Sequence, residues 1–253
     1  MSGHSKWATI KHKKGAIDAK RGKLFTKLIK ELTVAARMGG GDPGGNPRLR
    51  KAIADAKGQS MPNDTIQRAI KRGTGEIEGA AYEEVLYEGT GPGGTLYLVE
   101  GMTDNRNRTV AAIRNLFTRA GGSLGETGSV AWMFTQQGVI RVAAGRRDPD
   151  EIALELLDRI DVGEDGDISV DGRSVQVTLA PGRFEEARHR LETAGYDLES
   201  AEVTMNPSSS VALEPAPARA VLRLLESLEE HDDVQQVYAN AEIPDDILES
   251  VGS

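Results

Sequence analysis

The 253-residue chain contains no cysteine, only four histidines and few aromatic residues. Without cysteine, disulfides, thiolate nucleophiles and cysteine-ligated metal sites are excluded, and we expect a reducing compartment, the cytoplasm. The scattered histidines lack the spacing of metal ligands, so we expect neither a metal nor a cofactor. Aromatic residues make up 4% of the chain, which predicts small cores built on aliphatic side chains.

Long apolar runs are also missing. The longest, such as residues 139–144 and 243–248, fall far short of the roughly 20 residues that a membrane helix needs. Residues 1–14 carry four lysines but no apolar stretch like that of a secretory signal. We therefore expect no membrane partner.

Charge of opposite sign is separated along the chain. Residues 1–80 hold 17 Lys and Arg against 7 Asp and Glu, whereas the remainder holds 14 against 32. All eleven lysines lie at or before Lys71. Such asymmetry predicts a polyanionic partner for the basic part. The alternative is an ordinary solvated helix surface, but eight lysines within the first 30 residues exceed a normal mixed surface.

The basic part has the apolar spacing of amphipathic helices. Asn46 is the expected N-cap of the second helix, and the glycine-rich stretch 39–45 predicts a flexible loop before it. Residues 1–78 should therefore form a basic helical domain. The predicted helices cover residues 23–38, 47–58 and 62–73.

Strand-like alternation begins at Tyr82. Residues 138–205 follow the order β-α-β-β-α-β, which is typical of a ferredoxin-like fold. The sequence predicts an α+β protein in which a basic N-terminal helical domain precedes two ferredoxin-like α/β sandwich modules, one inserted into the other. The inserted module covers residues 136–205, and the discontinuous one covers 79–135 plus 206–245. The elements predicted for the discontinuous module are a hairpin over 82–100, a helix over 106–120, a strand over 129–134, a helix over 217–230 and a strand over 234–239.

Flexible cations along one track suit phosphate contacts, which need no base readout. Trp7 can stack on a base, although a core anchor in a small domain is an equal alternative. His12 can contact phosphate or RNA. The basic residues predicted to bind nucleic acid here are Lys6, Lys11, Lys13, Lys14, Lys20, Arg21, Lys23, Lys27 and Lys30.

A second candidate contact lies at the start of the helix predicted over 106–120. Arg106 and Arg108 oppose the helix dipole there, so we predict that they contact RNA or phosphate. The alternative is capping by Asp104 or Asn107 together with intramolecular ion pairing.

No catalytic constellation is identifiable in the sequence. Paired carboxylates such as Glu83 and Glu84 are adjacent and therefore point to different faces. The glycine-rich stretches 89–94 and 121–128 lack the Gly-Lys-Ser/Thr ending that cradles nucleotide phosphates. We expect a non-enzymatic protein.

Several motifs resemble those of the YebC family, beginning with Met1–Ala8. Further matches are Gly73-Thr74-Gly75, Asp104–Thr109 and Gly128–Ala131, and the resemblance covers essentially the whole chain. It implies a three-domain α+β protein without enzymatic activity, described as a probable DNA-binding transcriptional regulator. The mitochondrial relatives are similar to a translational activator of cytochrome c oxidase subunit I. Bacterial members also resemble ribosome-associated factors that ease synthesis of proline-rich stretches.

Two functions stay open at this stage. A DNA-binding transcriptional regulator would place the basic domain on phosphates, but the loop 39–45 is too long for the turn of a helix-turn-helix. The second helix also offers only Arg48, Arg50 and Lys51 to a groove. A translation factor on ribosomal or transfer RNA suits lysines on an arm that also carries an aromatic residue. The sequence does not decide between DNA and RNA, and it leaves the oligomeric state open.

Overall fold

The computed structural model describes residues 17–244 and 247–248. The chain divides into two compact units, residues 1–131 with 210–253 and residues 132–209. The helices are α1 (Ile17–Gly39), α2 (Pro47–Gly58), α3 (Asn63–Gly73), α4 (Arg106–Arg119), α5 (Pro149–Arg159), α6 (Phe184–Thr193) and α7 (Pro215–Glu229). The strands are β1 (Glu83–Thr90), β2 (Leu96–Thr103), β3 (Ser123–Leu124), β4 (Phe134–Ala143), β5 (Asp167–Asp171), β6 (Ser174–Leu179), β7 (Leu198–Pro207), β8 (Val211–Ala212), β9 (Val234–Ala239) and β10 (Ala241–Glu242).

Helices and two four-stranded antiparallel sheets coexist, so the predicted α+β class is confirmed. The further division of the chain into domains 1–78, 79–135 plus 206–245 and 136–205 stays a prediction. Within the described residues, no helix is both long enough and apolar enough to cross a membrane.

Helices α1, α2 and α3 pack around fully buried aliphatic residues, among them Leu32, Leu49 and Ile66. The predicted cap is present, because the Asn46 side chain accepts a hydrogen bond from the backbone N–H of Leu49. A Cβ at Gly73 would lie 2.3 Å from the carbonyl oxygen of Thr33, so only glycine lets the end of α3 approach α1 this closely.

The glycine-rich loop 39–45 was predicted to be flexible, but polar side chains bind its backbone. The Asn46 amide donates to the carbonyl of Gly40 at 2.9 Å, and the Arg50 guanidinium donates to the carbonyl of Pro43 at 2.8 Å. The loop is thus attached to the start of α2 at two points.

The four-stranded sheet of the first unit has the order β3-β1-β2-β9, and β8 and β10 form a separate parallel pair. Helices α4 and α7 share one core with it, in which the rings of Tyr97 and Phe117 meet edge to face with centroids 5.4 Å apart. The predicted ferredoxin-like order is not found here. The consecutive hairpin strands β1 and β2 occupy the centre of the sheet, whereas a ferredoxin-like sheet separates its two central strands by a helix and a strand.

The second unit does have the ferredoxin-like arrangement. Its sheet order, β5-β6-β4-β7, corresponds to the second, third, first and fourth strands of the β-α-β-β-α-β series. Helices α5 and α6 contribute Ile152, Leu156 and Leu191 to a core shared with β4 and β6. The fold predicted for this part of the chain is confirmed.

The strand predicted over 129–134 is absent, and a buried carboxylate explains why. Glu88 on β1 accepts hydrogen bonds from the backbone N–H groups of Gly128, Val130 and Ala131 at 2.6, 2.5 and 2.7 Å. Those groups are therefore not available to a strand partner, and β4 begins only at Phe134. Burial opposes ionisation of Glu88, but the three hydrogen bonds outweigh it and lower the pKa of this carboxyl.

We predict that Glu88→Gln lowers the free energy of unfolding at pH 7 by about 2 kcal/mol, because an amide NH₂ would face backbone donors. The lowered pKa of Glu88 makes its contribution fully present above the ordinary value of 4.5 and lost as the pH falls below it. Urea denaturation at pH 7 and below pH 4 measures the free energy of unfolding of both proteins. The difference between Glu88→Gln and wild type should be smaller in acid. Glu126→Gln, an exposed change on the same segment, is the control; equal stabilities of the two variants would contradict the account.

Candidate nucleic-acid interface

The predicted nucleic-acid contacts fall into two groups. The side chains of Lys6, Trp7, Lys11, His12, Lys13, Lys14 and Lys20 lie outside the described residues. The others are described: Arg21, Lys23, Lys27, Lys30, Arg106 and Arg108.

Three lysines of α1 hydrogen-bond to the C-terminal end of α7. Their spacing of four and three residues places Lys23, Lys27 and Lys30 on one face of α1. Their Nζ atoms donate to the carbonyl oxygens of residues 230, 229 and 232 at 3.2, 2.8 and 2.8 Å. The last carbonyls of a helix have no partner within it and form the negative end of its dipole. Lys23 and Lys27 therefore stabilise the end of α7, whereas Lys30 binds a carbonyl of the turn that follows it.

Lys30 also forms a buried ion pair with Asp233. Its Nζ lies 2.5 Å from Oδ1 of Asp233, and the two side chains are only 6% and 5% exposed. The same ammonium donates to the carbonyl of Met102. Lys30 thus has three acceptors and almost no exposure, and the prediction that it contacts nucleic acid does not fit this environment. We remove Lys30 from the candidate interface.

Arg108 meets Lys30 at the same carboxylate. Oδ2 of Asp233 accepts hydrogen bonds from Arg108 at 2.8 Å and from the Thr109 hydroxyl at 2.6 Å. Burial alone would raise the pKa of Asp233, but hydrogen bonds from Lys30, Thr109 and Arg108 outweigh it, and the pKa is strongly lowered. Asp233 is therefore ionised, and it joins α1 to α4 and to the start of β9.

The start of α4 shows why arginines are tolerated there. Arg108 pairs with Asp104 at 2.8 Å as well as with Asp233. Its contacts are thus those of the alternative considered from the sequence, intramolecular ion pairing. The cap is Asn105, whose side chain accepts from the N–H of Arg108, rather than Asp104 or Asn107. Arg106 is 64% exposed and 3.6 Å from Glu83. Contact of these two arginines with nucleic acid stays a prediction.

The cations of α2 that face solvent are largely paired within the protein. Arg48 binds both oxygens of Glu31 at 2.7 and 2.9 Å and also reaches Glu84; the Glu31 hydrogen bonds raise its pKa. Arg50 binds the loop before the helix, and Lys51 pairs with Asp55. Helix α2 therefore offers few free donors to a nucleic-acid groove.

Lys57 near the end of α2 is exposed too, but most of the free cations of the helical part lie elsewhere. Arg68, Lys71 and Arg72 are exposed on α3, and Arg37 is exposed near the end of α1. None of their side chains has a hydrogen-bond or ion-pair partner within residues 17–244 and 247–248. Arg21 is also exposed, with its guanidinium 5.6 Å from the ring centroid of Phe25. The sequence prediction missed the α3 residues, although the buried Ile66, Ala69 and Ile70 leave positions 68, 71 and 72 facing outward.

Two family models match the chain. One, described as TACO1/YebC protein N-terminal domain, matches residues 5–76; the other, described as TACO1/YebC second and third domain, matches residues 82–241. A probable transcriptional regulatory protein of Shewanella oneidensis is 53% identical and covers 100% of both chains. Another protein of that name, from Trichlorobacter lovleyi, is 53% identical and covers 99% of this chain and 100% of its own.

A solved structure is also similar. The crystal structure of the conserved hypothetical protein Aq1575 from Aquifex aeolicus matches with a TM-score of 0.75 and 45% sequence identity. The match covers 91% of this chain and 94% of that chain.

Asp233→Asn should lower the free energy of unfolding by about 3 kcal/mol at pH 7, because it leaves the buried Lys30 ammonium without a countercharge. The lowered pKa of Asp233 means that its contribution is present above the ordinary value of 3.8 and is lost as the pH falls below it. Urea denaturation measures both effects. Asp232→Asn is a matched control, because that neighbouring side chain is exposed and only its carbonyl binds Lys30. An Asp233→Asn variant as stable as the Asp232→Asn control would contradict this role.

Proposed function

The chain belongs to the TACO1/YebC family, and from that membership together with its free cations we propose that it is a nucleic-acid-binding regulator of gene expression. We assign it to transcription, as the names of its relatives suggest. It acts by binding and without catalysing a reaction. The resemblance to the YebC family found in the sequence is thereby confirmed, while DNA binding and the residues that carry it are proposals.

The observation that carries the proposal is the unpaired positive charge of the helical part. Arg68, Lys71 and Arg72 lie three and four residues apart on one exposed face of α3, without an acidic partner within the described residues. Unpaired, solvated cations release counterions from a polyanion on binding, and this release drives non-specific affinity for nucleic acid. The lysine-rich residues 1–14 add to the same charge.

The arrangement favours contact with the phosphate backbone over base readout in the major groove. A reading helix needs side chains that reach base edges, whereas Arg48 and Arg50 on α2 are held by partners within the protein. Lys51 forms only an exposed pair with Asp55. Backbone contacts position a protein on nucleic acid without specifying sequence.

A translation factor bound to ribosomal or transfer RNA is the second candidate. The scarcity of free cations on α2 favours this candidate as well, since recognition of irregular RNA does not require a helix in the major groove. A competition between duplex DNA and RNA for binding to the protein distinguishes the two functions.

Removing four lysines of the N-terminal part tests the proposal. We expect Lys→Ala at positions 11, 13, 14 and 20 to weaken binding to nucleic acid at least tenfold at about 0.1 M salt. The slope of log affinity against log salt should fall by about 3, because each lost phosphate contact removes about one unit or less. Fluorescence anisotropy with labelled duplex DNA and with ribosomal RNA fragments measures both quantities.

The matched control removes four exposed cations from α4 and α7, with Arg→Ala at 114, 119, 219 and 223. Both variants lose four positive charges. A similar loss of affinity for nucleic acid in the two variants would show that overall charge alone causes the effect, and it would contradict the proposed interface. Binding to a particular duplex that survives excess RNA supports transcription. Binding to ribosomes that survives excess duplex DNA moves the function to translation.

A further inference from the structure

A cavity of about 500 Å³ opens on the helical part beside the end of α3. Its walls are the last turns of α1, the C-terminal end of α3 and the segment 75–82 that leads to β1. Ligand sites for small molecules typically enclose about 300 to 1,000 Å³, so the cavity is large enough for one nucleotide.

Two of the free arginines line this cavity. Arg37 comes from α1 and Arg72 from α3, and neither guanidinium has a partner among the described side chains. Glu78 is the one carboxylate among the lining residues. With two guanidiniums and one carboxylate among its lining residues, the cavity carries excess positive charge. A guanidinium matches the geometry of a phosphate, which it can bind through two N–H donors.

Close backbone packing places these arginines. Gly73 allows α3 to end against α1, since a Cβ there would lie 3.1 Å from the backbone nitrogen of Arg37 as well as 2.3 Å from the Thr33 carbonyl. A Cβ at Gly79 would lie 3.0 Å from Cδ of Arg72, so the stem of Arg72 lies along the backbone of the segment 75–82. Glycine at 73 therefore brings the two arginines to one cavity, and the stem of Arg72 packs against Gly79.

An aromatic residue completes the wall. Tyr82 is half-buried and lines the cavity, and its ring centroid lies 5.3 Å from Nζ of Lys30. The buried ion pair of Lys30 thus also fixes an ammonium over this ring. Ile77, which is 36% exposed, adds apolar surface on the same segment. Base stacking on aromatic side chains together with phosphate contacts to cations is the usual chemistry of single-strand recognition.

We propose that this cavity binds one unpaired nucleotide of a single-stranded nucleic acid, with its phosphate on Arg37 and Arg72 and its base against Tyr82. Arg68 and Lys71 extend the positive surface along α3, where they contact the phosphates of neighbouring nucleotides. The inference rests on the proposed function and adds to it the form of nucleic acid that is bound, an unpaired strand rather than an intact duplex.

The experiment uses the full chain and fluorescein-labelled 12-residue oligouridine and oligothymidine, with a 12-base-pair duplex for comparison. We expect the single strands to bind more tightly than the duplex. Arg37→Ala with Arg72→Ala should weaken single-strand binding about tenfold and reduce the salt slope by about 1.4, given about 0.7 for each lost phosphate contact with a single strand. Tyr82→Ala should weaken binding about fivefold to tenfold through lost stacking.

Arg114→Ala with Arg119→Ala is the control, because it removes from α4 two exposed arginines that have no partner among the described residues. Unfolding curves of all variants show whether the helical part is still folded. A Tyr82→Phe variant keeps an aromatic ring beside Lys30 and should bind single strands as tightly as wild type. A strand containing 4-thiouridine should, on irradiation, crosslink within residues 75–82.

The outcomes separate this inference from the function on which it rests. If the wild-type protein binds neither strands nor duplex, the proposed function fails and the nucleotide site with it. If it binds nucleic acid but the Arg37/Arg72 variant binds as well as the control, the site is wrong and the proposed function stands. If free uridine 5′-monophosphate competes as well as the 12-residue strand, the assignment of the cavity to a strand is overturned.

Discussion

The buried ion pair between Lys30 and Asp233 determines how the helical part joins the sheet of the first unit. Transfer of both charges out of water costs several kcal/mol per ion, and such a pair persists only where further hydrogen bonds satisfy it. Here Asp233 receives bonds from Lys30, Arg108 and Thr109, while Lys30 also binds the carbonyls of Met102 and Asp232. One carboxylate thereby connects α1, α4 and the start of β9.

This constraint divides the cations of the basic part into two classes. Lys23 and Lys27 bind carbonyls at the end of α7, Lys30 binds one in the turn that follows, and in these positions all three support the fold. Arg68, Lys71 and Arg72 have no such partners in the part of the chain that the structure describes, and they face solvent. The number of cations in the sequence therefore overstates the binding surface, because some of them pair with a buried carboxylate or with carbonyls at a helix end. Only the remaining cations are available to bind a polyanion.

Local pattern made much of the fold predictable. The helical spacing of apolar residues and the Asn46 cap located α1 to α3, and alternation identified the ferredoxin-like order of the second unit. The failures involve partners far apart in sequence. Lys30 and Asp233 are 203 residues apart, so nothing near Lys30 indicates its burial. The hydrogen bonds from Gly128–Ala131 to Glu88 likewise remove a strand that local alternation predicts, and the central position of the β1–β2 hairpin depends on the whole sheet. The free face of α3, by contrast, follows from the burial of Ile66 and Ile70 and was within reach of the sequence.

Lysine footprinting with an amine-reactive reagent and mass spectrometry, with and without nucleic acid, tests the division of cations most directly. We expect Lys30, whose side chain is 6% exposed, to be unreactive in the native protein under both conditions. Lys71 should react in the free protein and become protected when nucleic acid binds. A reactive Lys30 that nucleic acid protects, together with a Lys71 that nucleic acid leaves unchanged, would contradict the division and return the interface to the α1 lysines.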